Sequence, residues 1–127
     1  MTLRILAIDD SKTIRAMLSR CLTNAGLECE VAVDGVDGVA KYQSYRPDVV
    51  ITDINMPELD GFGVIEALRS APIHATEPIL VLTTESAQDL RQRAQQAGAT
   101  GWIVKPFDDT SLLSVLRRIT GVVSLHG

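Results

Sequence analysis

Ile5-Leu6-Ala7-Ile8-Asp9-Asp10 is an unbroken apolar run closed by two carboxylates. Four apolar residues without polar alternation read as a strand covered on both faces, the mark of a parallel sheet. Three further runs of this kind follow: Val49-Val50-Ile51, Ile79-Leu80-Val81-Leu82 and Trp102-Ile103-Val104. A fifth stretch, Glu28 to Val33, alternates acidic and apolar residues and suits a sheet edge.

Helical periodicity fills the intervals. Ile14, Met17, Leu18, Cys21, Leu22 and Ala25 recur at i, i+3, i+4 and i+7, and Gly26 supplies the stop. Val36 to Tyr45 makes a poorer helix, because Gly38 in its middle costs about 1 kcal/mol relative to alanine. Phe62 to Arg69, Ala87 to Ala97 and Ser111 to Ile119 complete the set. Leu90, Ala94 and Ala97 give the fourth helix a small-residue stripe ended by Gly98, and Leu112, Val115, Leu116 and Ile119 give the fifth its apolar face. This alternation predicts an α/β fold, a three-layer (βα)5 doubly wound parallel sheet with right-handed crossovers, and among five-stranded sheets of that kind the strand order 2-1-3-4-5 is the common one.

The 127 residues suffice for one domain, and 46% hydrophobic with 22% charged residues is an ordinary globular composition. A single domain over 1–127 is expected, with no output domain, because the chain starts at Met1 and ends within eight residues of the last predicted helix. Apolar runs of about four residues fall far short of the roughly 20 that a membrane helix needs. Residues 1–8 lack the apolar length and cleavage site of a signal peptide, so a cytoplasmic location is expected. Cys21 and Cys29 are read as reduced thiols packed as small hydrophobes, and His74 and His126 as surface residues. The net charge of −4 speaks against a general nucleic-acid binder. Its origin is uneven: residues 1–64 hold ten Asp/Glu against six Lys/Arg, whereas residues 65–127 hold six of each.

Ligands of open α/β sheets bind beyond the carboxyl ends of the strands. The residues found there are Asp9 and Asp10 after the first run, Asp53 after the third strand, Thr83 and Thr84 after the fourth, and Lys105 after the fifth. Three carboxylates brought together repel one another unless a cation joins them, and oxygen ligands without His or Cys select Mg²⁺, Mn²⁺ or Ca²⁺ over zinc. With few protein oxygens available, Mg²⁺ keeping several waters fits best. Metal, ammonium and hydroxyl together make an anion site of phosphoryl size, in which a carboxylate can also be a nucleophile. Singly, each residue has an ordinary structural use. Asp9-Asp10 can cap a helix, Asp53 can open an acidic turn with Asn55, Pro57, Asp60 and Gly61, Thr83 can be a β-branched strand residue, and Lys105-Pro106 can end a strand. Their joint placement points to a site.

The motifs Asp9-Asp10-Ser11, Asp53-Ile54-Asn55-Met56-Pro57-Glu58-Leu59-Asp60-Gly61, Leu82-Thr83-Thr84-Glu85 and the run from Ala97 to Phe107 that contains Lys105-Pro106 resemble the receiver domains of two-component response regulators. More narrowly, they resemble the CheY-type single-domain chemotaxis regulators, over residues 3 to 120. The resemblance implies Asp53 as phosphoryl acceptor from a sensor histidine kinase, and Mg²⁺ held by Asp10, Asp53 and the Asn55 carbonyl with Asp9 assisting through a water. It implies Lys105 and Thr83 as partners of the phosphoryl oxygens, a cis Lys105-Pro106 bond, and Asn55 and Glu85 as residues that tune dephosphorylation. It further implies a switch in which the Thr83 hydroxyl moves inward and an aromatic at position 102 follows, altering a face of the fourth helix, fifth strand and fifth helix that includes Arg91. One departure is plain: that aromatic is usually Tyr or Phe, and here it is Trp102, the only tryptophan. The implied partners are a chemotaxis CheA-type kinase and the flagellar motor switch protein FliM, bound by a monomer, with no nucleic acid or membrane. The chain itself would not be an enzyme in trans.

Four other readings stay in view: a phosphate sink or phosphorelay intermediate, a truncated multidomain regulator, a small phosphatase with an aspartyl nucleophile, and a flavin binder. The phosphatase wants a second carboxylate two residues past the nucleophile, where Asn55 stands, and a cap insertion. The flavin binder wants a Ser/Thr/Gly-rich loop where this chain has Asp9-Asp10-Ser11-Lys12.

Overall fold

The apolar runs become the centre of a five-stranded parallel sheet in the order β2-β1-β3-β4-β5. The computed structural model describes residues 2–121; His126 lies outside them. The elements alternate strictly: β1 (Arg4–Ile8), α1 (Lys12–Asn24), β2 (Glu28–Ala32), α2 (Gly35–Tyr45), β3 (Val49–Thr52), α3 (Gly61–Arg69), β4 (Ile79–Thr83), α4 (Gln88–Ala97), β5 (Gly101–Val104) and α5 (Asp109–Thr120). Two apolar layers sandwich the sheet. Leu18, Leu22, Leu112 and Leu116 of α1 and α5 pack on Ile5, Val49, Ile51 and Leu80, while Val64, Ile65, Leu68 and Ala94 of α3 and α4 pack on Leu6, Ile8, Val50 and Val81.

Every residue of β3 and β4 is buried, as unbroken apolar runs require. The last strand departs from the expectation of a strand covered on both faces. β5 is an edge, its first three residues are only partly covered, and Val104 is 41% exposed. Apolar character alone does not separate an inner strand from an edge that helices half cover.

The helix ends follow local chemistry. Ser11, Asp34, Asp60 and Asp108 are N-caps whose side chains accept from the backbone N–H groups of Ile14, Asp37, Gly63 and Ser111. Gly26 and Gly98 follow α1 and α4 with positive φ, as stop residues do. Gly38 has a packing reason, since a Cβ there would lie 2.4 Å from Ile8 Cδ1 and hold α2 off the sheet. Cys21 and Cys29 are unpaired; burial, with Asp109 and Glu30 nearby, pushes their thiols up to about 12 and about 11. His74 is exposed in the loop before β4, and no helix among the described residues is long and apolar enough to cross a membrane.

Register is what sets up the carboxyl edge. Ile8 of β1 is level with Thr52 of β3, so Asp9 and Asp53 emerge side by side. β4 runs on past them: Thr52 pairs with Val81, and Thr83 pairs with Val104 of β5. Lys105 therefore leaves the sheet about two residues above Asp53, and its long stem reaches back. Gly61 closes the β3–α3 turn below, where a Cβ would stand 2.2 Å from the Asp53 carbonyl oxygen and 2.8 Å from Ile54 Cα. Backbone on both sides cannot rotate away, so Gly61→Ala is expected to lower stability by about 1–3 kcal/mol. A drop in the urea midpoint at unchanged m-value checks this.

Candidate functional site

Asp9 is held at every polar atom. Its N–H donates to the Ala32 carbonyl (3.1 Å), its carbonyl accepts from Arg15 Nη1 (2.8 Å), and its Oδ1 accepts from the Ser11 N–H (2.9 Å). Its Oδ2 accepts from Lys105 Nζ at 2.8 Å, and the same ammonium donates to Asp53 Oδ2 at 2.9 Å. Asp53 Oδ1 accepts from the Ile54 N–H at 2.6 Å, and the buried Thr52 hydroxyl donates to the Asp53 carbonyl. Asp9 and Asp53 are buried, Asp10 is exposed, and carboxylate oxygens of all three lie within 4.8 Å of one another. Ser11 caps α1, the ordinary use that Asp9-Asp10 could have served, and a carboxylate oxygen of each aspartate is left to the cluster.

These groups set one another's protonation. Burial pushes the Asp9 carboxyl above its ordinary value, with the Lys105 and Ser11 bonds pulling back and the Asp53 charge adding to the rise. Burial alone would lower the Lys105 ammonium, but Asp9 and Asp53 outweigh it and hold it above its ordinary value. One lysine thus bridges two of the three clustered carboxylates. The unbalanced negative charge and all-oxygen donor set fit a hard divalent cation, and Asp10 stands on the open side to receive one.

The other anticipated residues form a second chain of contacts. Thr83 is buried, and its hydroxyl accepts a long bond from the Glu85 N–H (3.3 Å). Glu85 Oε1 accepts from Asn55 Nδ2 (2.8 Å), joining the lips of the two loops, and the Glu85 carbonyl accepts from Trp102 Nε1 (3.1 Å). Trp102 lies beside an open groove of about 280 Å³ between α4 and β5, lined also by Arg91, Ala94, Gln95 and Thr100. The Lys105–Pro106 peptide is cis, as is Ala71–Pro72, which the sequence did not flag.

Two contributors escaped the sequence. Thr52 lies one residue beyond the apolar run that marked β3, and its polarity was the available signal. Arg69, at the end of α3, donates to the carbonyls of Ala75, Glu77 and Gly98, tying the entrance of β4 to the turn before β5. Nothing in its sequence neighbourhood points to partners so far along the chain.

Replacing Lys105 by Met leaves two buried carboxylates without a counter-charge. In the absence of divalent cations the loss at neutral pH is expected to be on the order of 3 kcal/mol. The sign with pH follows from Asp9, whose native carboxyl titrates above 3.8. The folded state binds the proton more tightly than the unfolded chain, so stability falls as pH rises through the raised value. The Lys105→Met deficit should therefore shrink between neutral pH and an acidic pH low enough for a proton to replace the ammonium. Urea unfolding at both pH values checks this.

The model of the response regulator receiver domain matches residues 5–117. Among curated relatives, the transcriptional regulatory protein PrrA of Mycobacterium tuberculosis is 40% identical over 124 residues, which are 98% of this chain and 51% of PrrA. The chain thus spans about half the length of the curated relatives it matches. Among solved structures, the chemotaxis protein CheY4 of Vibrio cholerae aligns with a TM-score of 0.88 at 44% identity, over 94% of this chain and 99% of that one. The receiver domain of the sensor histidine kinase PA1611 of Pseudomonas aeruginosa, with a magnesium ion coordinated in its active-site cleft, aligns at 0.86 with 26% identity over 95% of this chain and 99% of its own. A buried acidic pair bridged by lysine at the carboxyl edge of a 2-1-3-4-5 sheet, and a match over most of the sequence, lead to one conclusion: the chain belongs to the response regulator receiver domains.

Proposed function

We propose that Asp53 accepts a phosphoryl group from a phosphohistidine of a sensor histidine kinase, and that the chain acts as a stand-alone switch whose output is a contact made by its own surface. The observation that carries this is the buried Asp53 carboxylate at 2.9 Å from Lys105 Nζ, beside Asp9 and the open Asp10. An Asp53 oxygen attacks phosphorus, the O–P bond forms as the N–P bond of the donor breaks, and the imidazole leaves. Lys105 is already charged and in place, so it meets the transferred oxygens without reorganisation. Asp10, Asp53 and the Asn55 carbonyl would hold Mg²⁺, with Asp9 assisting through a water. When bound there, such an ion would supply positive charge to offset what builds on the phosphoryl oxygens. The chain promotes only its own phosphorylation and dephosphorylation, the latter tuned by Asn55 and Glu85, and turns over no free substrate.

The Thr83 hydroxyl is the sensor. Once it donates to a phosphoryl oxygen, its long bond from the Glu85 N–H weakens, and Glu85 also holds the Trp102 indole. The phosphorylation signal thereby arrives at the groove that includes Arg91. The alignment with CheY4 over nearly its whole length supports a chemotaxis role: a cytoplasmic monomer, phosphorylated by a CheA-type kinase, with FliM as its target. The name and length of PrrA support a second reading, a receiver whose output is transcription through a longer regulator.

Asp53→Asn should abolish labelling by a small-molecule phosphodonor, and label retained by that variant would overturn the assignment. Because Trp102 is the sole tryptophan, its emission should change on adding beryllium fluoride with Mg²⁺, and Thr83→Ala should suppress the change. An unaltered wild-type spectrum rules out the switch role. For the chemotaxis reading, immobilised FliM should retain the beryllofluoride-treated chain and release Asp53→Asn; equal retention speaks against it.

A further inference from the structure

Arg15 has no place in the mechanism above, yet its guanidinium touches the site. From the first turn of α1 it reaches back past the Ser11 cap and donates from Nη1 to the Asp9 carbonyl at 2.8 Å. It is half-buried and forms no ion pair among the described residues, although the carbonyl it meets belongs to one of the three clustered aspartates. A cation placed to neutralise the cluster would sit on a carboxylate. This one sits on a peptide.

That peptide joins Asp9 to Asp10. Its N-terminal side is already fixed, because Asp9 N–H, Oδ1 and Oδ2 each have a partner. Its far side carries Asp10, which is exposed and has no hydrogen-bonded partner for its carboxylate among the described residues. The tilt of the Asp9 carbonyl sets where the Asp10 Cα–Cβ bond points, and Arg15 is the side chain that holds that tilt. We propose that Arg15 is a positioning residue for the cation site: by pinning the Asp9–Asp10 peptide it orients the Asp10 carboxylate toward Asp53, while its own charge stays off the carboxylates. The proposal rests on the reading that Asp9, Asp10 and Asp53 hold a divalent cation.

Orientation and charge predict opposite signs. If Arg15 orients Asp10, removing it weakens cation binding; if it is merely a nearby positive charge, removing it strengthens binding. The probe is Mn²⁺, whose free concentration is read directly by electron paramagnetic resonance. Arg15→Met keeps the apolar stem but drops donor and charge, and Arg15→Lys keeps charge and a donor. Both are compared with the wild type at about 0.1 M and about 1 M KCl, where the screening length falls from about 10 Å to about 3 Å.

The expected result is roughly tenfold weaker Mn²⁺ binding by Arg15→Met at both salt concentrations, with partial recovery in Arg15→Lys. Tighter or unchanged binding by a folded Arg15→Met overturns the proposal. Should that variant not fold, Arg15→Lys decides: affinity equal to the wild type overturns the proposal, and weaker binding supports it. A wild type that binds no Mn²⁺ removes the cation reading itself, and the proposal with it, so the two failures are told apart by the first titration.

Discussion

Two carboxylates and one ammonium, from the ends of three strands, meet at the carboxyl edge of the sheet. Asp9 and Asp53 are both buried, and buried like charges repel at short range and pay heavily for lost hydration. Lys105 bonds to both at 2.8 and 2.9 Å and makes the arrangement tolerable without cancelling it. The residual negative charge, opened to solvent by Asp10, is what makes the cluster a fitting donor set for a hard divalent cation.

The fold serves that imbalance through strand order and close approach. Because β1 and β3 are neighbours, with connections running off to opposite sides of the sheet, their ends have room beyond them. Register makes Asp9 and Asp53 level, and the longer reach of β4 and β5 raises Lys105 above them. Two glycines let the walls come near. Gly38 lets α2 lie on Ile8, and Gly61 lets the start of α3 tuck under the Asp53 carbonyl. The helix-forming propensity lost at Gly38 is the counterpart of this contact. Thr83, Glu85, Asn55 and Trp102 then link the site to the groove at α4 and β5.

The acidic surplus of the first half divides into two uses. Asp9, Asp10 and Asp53 form the cluster, while Asp34 and Asp60 cap helices and Asp48 accepts from the Arg4 N–H at 2.8 Å. Glu30 and Asp37 pair with Lys41 on the rim of β2 and α2. Part of the surplus is thus scaffold.

Much of this was legible in the chain. Unbroken apolar runs alternating with helical periods determined a parallel α/β sheet, since an uncovered strand would show a polar face. The residues that follow those runs determined the candidate site, since strands in such a sheet deliver their next residues to one edge. Trp102 and Glu85 could be singled out, but not the bond between the indole N–H and the Glu85 carbonyl. Tertiary structure alone decided that β5 is a half-covered edge, that Ser11 rather than an aspartate caps α1, and that Arg15 turns to a peptide carbonyl instead of a carboxylate. Each of these depends on register and on which atom lies within about 3 Å of another. Periodicity along a chain carries the direction of a side chain, and only the packed fold sets its distance to residues forty or ninety positions away.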